Sequence, residues 1–110
     1  MPSSVRLDPL TIELRAMSEG SVKATVLDIA KRYGWRVFHL THDPRGRNTA
    51  KGSGYPDLTL ARNGDVLWIE CKRETENMGD MQLAWAMDLP GVAIIRPRDI
   101  VNGTLEEMLR

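Results

Sequence analysis

The dipeptide Asn63-Gly64 constrains this chain more than any other feature. It stands between two runs of β-forming residues, Asp57–Ala61 (DLTLA) and Val66–Lys72 (VLWIECK). Asn-Gly supplies the two positive φ angles that a two-residue type I′ hairpin demands. The two runs are therefore expected to pair antiparallel. Asp57 lies about six residues before the turn and Glu70 about six after it, which makes them cross-strand neighbours. Strand side chains alternate, so Glu70 and Lys72 share one face while Ile69 and Cys71 take the other.

The remaining elements arrange themselves around that hairpin. Residues 1–17 carry Pro2, Pro9 and scattered apolar residues, and read as an arm holding at most a short helical turn. Ser18 suits a helix N-cap, with Glu19 in the acidic first turn. Val22, Val26, Ile29, Ala30 and Tyr33 then recur at helical spacing up to Gly34, predicting a helix over 18–33. Trp35–Leu40 (WRVFHL) predicts a strand, and residues 41–56, rich in glycine and proline, predict a long loop. An amphipathic helix is expected over 80–89, a buried strand over 92–96 (VAIIR), and a short last helix from a Thr104–Glu107 capping box. The helix between the last two strands permits a parallel crossover. The expected fold is α/β: an α-β-β-β-α-β core with a mixed central sheet flanked by helices. Residues 18–110 form its single domain.

The chain has 110 residues, 42% of them apolar, which suits one compact domain. Fifteen basic residues balance fifteen acidic ones. That excludes a histone-like binder acting through bulk charge, so any positive surface must be local. The one cysteine, Cys71, allows neither an intrachain disulfide nor a cysteine-based zinc cluster, and reads as cytosolic usage. Met1-Pro2-Ser3-Ser4 has no basic region followed by an apolar run, so no signal peptide is expected. No apolar stretch approaches the ~18 residues that span a membrane.

Two carboxylates beside a lysine at the end of an apolar strand are costly to bury unless paired or bound. Taken singly, Glu70 and Lys72 would be a solvated pair at a strand end, and Asp57 a turn residue after Pro56. Brought together by the hairpin, Asp57 and Glu70 repel unless a cation lies between them, and oxygen ligands suit Mg²⁺ or Mn²⁺. Such a metal can hold a phosphate oxygen and acidify a water for phosphodiester hydrolysis. Lys72 is placed to orient that water or to neutralise developing charge.

Gly54-Tyr55-Pro56-Asp57-Leu58, then the hairpin, then Ile69-Glu70-Cys71-Lys72 and Gln82-Leu83-Ala84-Trp85, resemble the VRR-NUC family of the PD-(D/E)XK nuclease superfamily. Glu19, opening a helix that ends in Gly34-Trp35, belongs to the same pattern. The resemblance covers residues 18–97. It implies a restriction-endonuclease-like core and metal-dependent DNA cleavage. Standalone phage and bacterial members imply a homodimer, acting in the bacterial or phage-infected cytosol on branched DNA such as four-way (Holliday) junctions. Asp57, Glu70 and Lys72 take the superfamily's roles of two metal ligands and a catalytic lysine. The resemblance also implies a metal contact from Glu19, another from the Cys71 backbone carbonyl, and site support from Gln82. Two departures are Cys71, where an aliphatic residue is usual, and a Glu74–Asp80 linker that looks short. Without the family, Glu19 is a first-turn helix residue and Gln82 a solvated one.

The loop before Asp57 holds Arg45, Arg47 and Lys51 against Asp43, the local positive charge that the neutral total requires. With His42 it is expected to contact phosphates without reading sequence. No cysteine pattern or third histidine makes a zinc site with His39 and His42. His39 is expected to be structural, and the Cys71 side chain a buried hydrophobe. Met81, Trp85 and Leu89 form a stripe expected in the core or a dimer contact. The competing expectation is a non-catalytic or partner-dependent DNA-binding subunit that keeps the fold. A pure phosphate binder, however, gains nothing from two carboxylates at its contact face. A sequence-specific restriction enzyme is a weaker alternative, because no recognition domain is evident.

Overall fold

The computed structural model of the chain describes residues 6–39 and 54–110. Its first element is a helix, α1 (Pro9–Ala16), where the sequence led us to expect little more than a turn. The overlooked signal is Asp8-Pro9. The Thr11 N–H donates to Asp8 Oδ1 at 2.7 Å, and Pro9 occupies the first helical position, where its missing N–H costs nothing. No residue of α1 is buried.

The next helix, α2 (Glu19–Arg32), follows the expected pattern. The Ser21 N–H donates to Ser18 Oγ at 3.0 Å. At the other end Gly34, at φ +80°, lets its own N–H reach the Lys31 carbonyl while the Trp35 N–H reaches that of Ala30. These are the two bonds of a Schellman cap.

Four strands form one sheet in the order β1-β2-β3-β4. They are β1 (Arg36–His39), β2 (Leu58–Arg62), β3 (Asp65–Cys71) and β4 (Val92–Ile95). β2 and β3 pair antiparallel from Arg62↔Asp65 to Leu58↔Ile69. Asn63 and Gly64 have φ of 51° and 87°, as the type I′ turn requires. Helix α3 (Asp80–Asp88) carries the chain to β4, which runs parallel to β3. The sheet is therefore mixed, with β3 between an antiparallel and a parallel neighbour, and helices flank it.

Two short helices follow. α4 (Pro97–Val101) is not among the expected elements; Pro97 stands in its first turn, where a missing N–H costs nothing. The Thr104–Glu107 capping box does not form. α5 (Thr104–Leu109) starts one residue earlier than the box requires, with Gly103 as N-cap at φ +83°. Its first turn closes through the Glu107 N–H to the Gly103 carbonyl.

One face of the sheet carries the core. Leu58, Leu60, Ile69, Cys71 and Ile95 pack against Val22, Val26 and Ala30 of α2 and Leu105 and Leu109 of α5. Each fully buried aliphatic side chain contributes roughly 1.5–3 kcal/mol. Trp35 joins the ends, its Nε1 donating to the Leu109 carbonyl at 2.8 Å. The Arg62 guanidinium lies 4.3 Å over the Trp35 ring and donates to the carbonyls of Tyr33 and Leu109. The opposite face bears Phe38, Thr59, Trp68 and Val92 in one cross-strand row.

Candidate active site at the open end of the hairpin

Asp57 is the last residue before β2 and stands opposite Glu70 because Leu58 pairs with Ile69. The two carboxylates are interlocked through the backbone. The Asp57 N–H donates to Glu70 Oε1 at 3.1 Å, and the Cys71 N–H donates to Asp57 Oδ2 at 2.9 Å. Each acid thus accepts a main-chain N–H from the opposing strand, which fixes both against rotation.

Glu70 and Lys72 are the buried charged side chains among the described residues, 3% and 4% exposed. Lys72 Nζ lies 3.9 Å from Glu70 Oε2 and 3.4 Å from Glu76 Oε2. Gln82, in the first turn of α3, donates through Nε2 to Glu70 Oε2 at 2.6 Å. Its Oε1 accepts the Gly79 N–H at 2.8 Å, so both ends of the amide are assigned.

Burial pushes the Glu70 carboxyl up to about 7, assisted by the Asp57 charge and opposed by Lys72 and the Asp57 N–H. Glu19 also belongs to the cluster. Burial raises its carboxyl, as do the charge and hydrogen bond of Glu76 and the charge of Asp57, while Lys72 acts the other way. Glu76 is lowered despite its burial, by the Arg73 N–H, the Glu19 hydrogen bond and Lys72. The Cys71 thiol is fully buried on the core face, and burial, then Asp57 and Glu70, push it far up, so it is no nucleophile.

Among the described residues, no three His, Cys, Asp or Glu side chains stand in a ready-made ligating cage. The donor set at Asp57 and Glu70 is all oxygen and two-membered. That fits Mg²⁺ or Mn²⁺, because Mg²⁺ is commonly held by one or two carboxylates together with waters and substrate phosphates. The net negative charge of Glu19, Asp57, Glu70 and Glu76 against one Lys72 favours a cation.

The sequence-expected residues Glu19, Asp57, Glu70, Lys72 and Gln82 are thus brought to one place. His42, Arg45, Arg47 and Lys51 lie outside the described residues. His39 ends β1 and is exposed. The Met81–Trp85–Leu89 stripe is not core: Met81 is 55% exposed, no residue of α3 is buried, and Trp85 meets Tyr55 edge to face at 4.9 Å. Glu76 was missed. Its spacing of four from Lys72 was the available signal, but such pairs are common on solvated surfaces.

Comparison of the chain with protein-family models, curated proteins and solved structures returned no match.

Proposed function

We propose that the chain is a divalent-metal-dependent endodeoxyribonuclease built on a PD-(D/E)XK core. The observation that carries this reading is the interlocked pair Asp57–Glu70 with the buried Lys72 beside it. Burying an acid and an ammonium together, with the half-buried Asp57 beside them, is expensive without a ligand to hold or a reaction to run. Asp57 and Glu70 would hold Mg²⁺ or Mn²⁺, with the Cys71 backbone carbonyl and Glu19 as further contacts. The ion would supply positive charge to a phosphate oxygen and acidify a coordinated water. Lys72 would stabilise the charge that develops on the phosphate, and Gln82 holds Glu70 in orientation.

The substrate proposed is branched DNA such as a four-way junction, cut by a homodimer in the cytoplasm. His42, Arg45, Arg47 and Lys51 are proposed as phosphate contacts, a role that gives affinity without base readout. The deciding experiment is cleavage of a labelled four-way junction beside linear duplex, in Mg²⁺, Mn²⁺ or EDTA, with wild type and Asp57→Ala. Metal-dependent cutting of the junction that disappears in the variant supports the assignment. Tight metal-independent binding without cleavage would instead identify a DNA-binding subunit. A monomeric mass by light scattering at micromolar concentration would sink the homodimer.

A further inference from the structure

The connection between β3 and α3 is fastened to the start of α4 from outside the site. Arg96 Nη1 donates to the Arg73 carbonyl and to the Glu76 carbonyl, both at 2.7 Å. Arg96 is itself anchored, its backbone N–H donating to Asp99 Oδ2 at 2.8 Å. The turn closes on itself through the Glu76 N–H to the Arg73 carbonyl at 3.3 Å, Arg96 braces it, and Glu76 Oε1 accepts the Arg73 N–H at 3.1 Å. That leaves Glu76 Oε2 facing Lys72 Nζ at 3.4 Å, nearer than Glu70 Oε2 at 3.9 Å.

We infer that Arg96 and Glu76 are positioning residues for Lys72: Arg96 braces the 73–76 turn, and the turn presents Glu76 to the lysine. A lysine is a point charge on a long flexible stem. Buried beside one carboxylate, it would close onto that carboxylate. Glu76 draws it the other way, so Lys72 stays between two acids and adds no close third bond to a Glu70 carboxylate already met by the Asp57 N–H and Gln82. Neither Arg96 nor Glu76 is assigned contact with reacting atoms. The consequence for cleavage rests on the nuclease reading; the consequence for Lys72 does not.

The test uses the full chain with ¹⁵N-labelled lysine. There are four lysines, Lys23, Lys31, Lys51 and Lys72, so the ammonium spectrum is simple, and Lys72→Arg assigns the signal of interest. In Arg96→Gln and Glu76→Gln the Lys72 ammonium signal should move, and Arg96→Lys should restore it, because both carbonyls are met by a single nitrogen that an ammonium can replace. Arg62→Gln is the control. It removes comparable guanidinium-to-carbonyl bonds at Tyr33 and Leu109, and should lower the melting temperature without moving the signal. Junction cleavage should fall about 10–100-fold in Arg96→Gln and Glu76→Gln, the scale of losing an outer support of a site, and recover in Arg96→Lys.

A Lys72 signal that ignores Arg96→Gln, or that moves equally in Arg62→Gln, overturns the inference. If Arg96→Gln fails to fold, Glu76→Gln decides alone, since its amide oxygen still accepts the Arg73 N–H: an unmoved Lys72 signal there also overturns it. A wild type that never cuts DNA, yet gives the expected pattern of shifts, keeps the positioning role and sinks the nuclease. The reverse pattern keeps the nuclease and sinks the positioning role.

Discussion

The Asp57 N–H donates to the Glu70 carboxylate at 3.1 Å, so the first acid of the site holds the second through its main chain as well as repelling it through its side chain. The two effects can be separated. Asp57→Asn keeps the backbone bond to Glu70, and its amide oxygen can still accept the Cys71 N–H. It removes one negative charge. We predict a folded protein with a melting temperature close to wild type in EDTA, a Glu70 carboxyl lower than in wild type, and cleavage reduced at least about 100-fold, the scale of losing one preorganised electrostatic contact. Carboxyl-carbon NMR titration and single-turnover cleavage measure the two. Full activity in Asp57→Asn would remove Asp57 from the chemistry.

Glu70 also makes metal-free stability depend on pH. Its carboxyl rises from 4.5 to about 7 on folding, so the folded chain holds that proton more tightly than the unfolded one. The stabilisation from Glu70 is complete below the unfolded value and is lost as pH rises through about 7. At about 1.36 kcal/mol per unit, the loss is on the order of 3 kcal/mol. Glu19, also raised, acts in the same direction, whereas Glu76, lowered, contributes stability that is lost as pH falls. Melts in EDTA should therefore drop between pH 5 and pH 8, and Mn²⁺ should restore more at pH 8 than at pH 5. Melts at pH 8 indifferent to Mn²⁺ and Mg²⁺ would argue against a metal at this site.

Much of this site was readable in the sequence, and the reason is local. Asn63-Gly64 sets the register, and register alone carries Asp57 to Glu70. Alternation along β3 puts Cys71 in the core and Glu70 with Lys72 on the other face. The missed features depend on contacts that spacing does not encode. Arg96 meets the carbonyls of residues 73 and 76, 23 and 20 positions away, and carbonyls have no sequence signature. Met81 and Trp85 follow a core-like spacing, yet α3 meets the sheet at Glu70, on the face away from the core, and none of its residues is fully buried. The α1 helix was hidden by short length and the absence of buried residues, although its Asp8-Pro9 start was in plain view.

Gly54 should resist substitution for a reason separate from its turn. A Cβ there would stand 2.5 Å from the Met81 carbonyl carbon and 2.7 Å from the Gln82 backbone nitrogen. Gly64 has a similar positive φ, but a Cβ there meets nothing within 4 Å. Gly64→Ala should thus cost only the left-handed strain, about 1–2 kcal/mol. Gly54→Ala adds a backbone clash of about 1–3 kcal/mol and pushes the start of α3 away from Glu70. Urea melts of the two variants measure the difference, and equal losses would mean that α3 yields freely.

Gln82 is where α3 meets the chemistry. Its amide bridges the Gly79 N–H and Glu70 Oε2, so Gln82→Ala leaves a buried carboxylate oxygen without its donor. The exposed Gly79 N–H can turn to water; the Glu70 oxygen has less access. We expect a stability loss of about 1–3 kcal/mol at pH 8, smaller at pH 5, where Glu70 is protonated. Cleavage should fall about 10–100-fold in kcat with KM little changed, because Gln82 orients a ligand rather than binding DNA. A rise in KM at constant kcat would move Gln82 from support of the site to contact with the substrate.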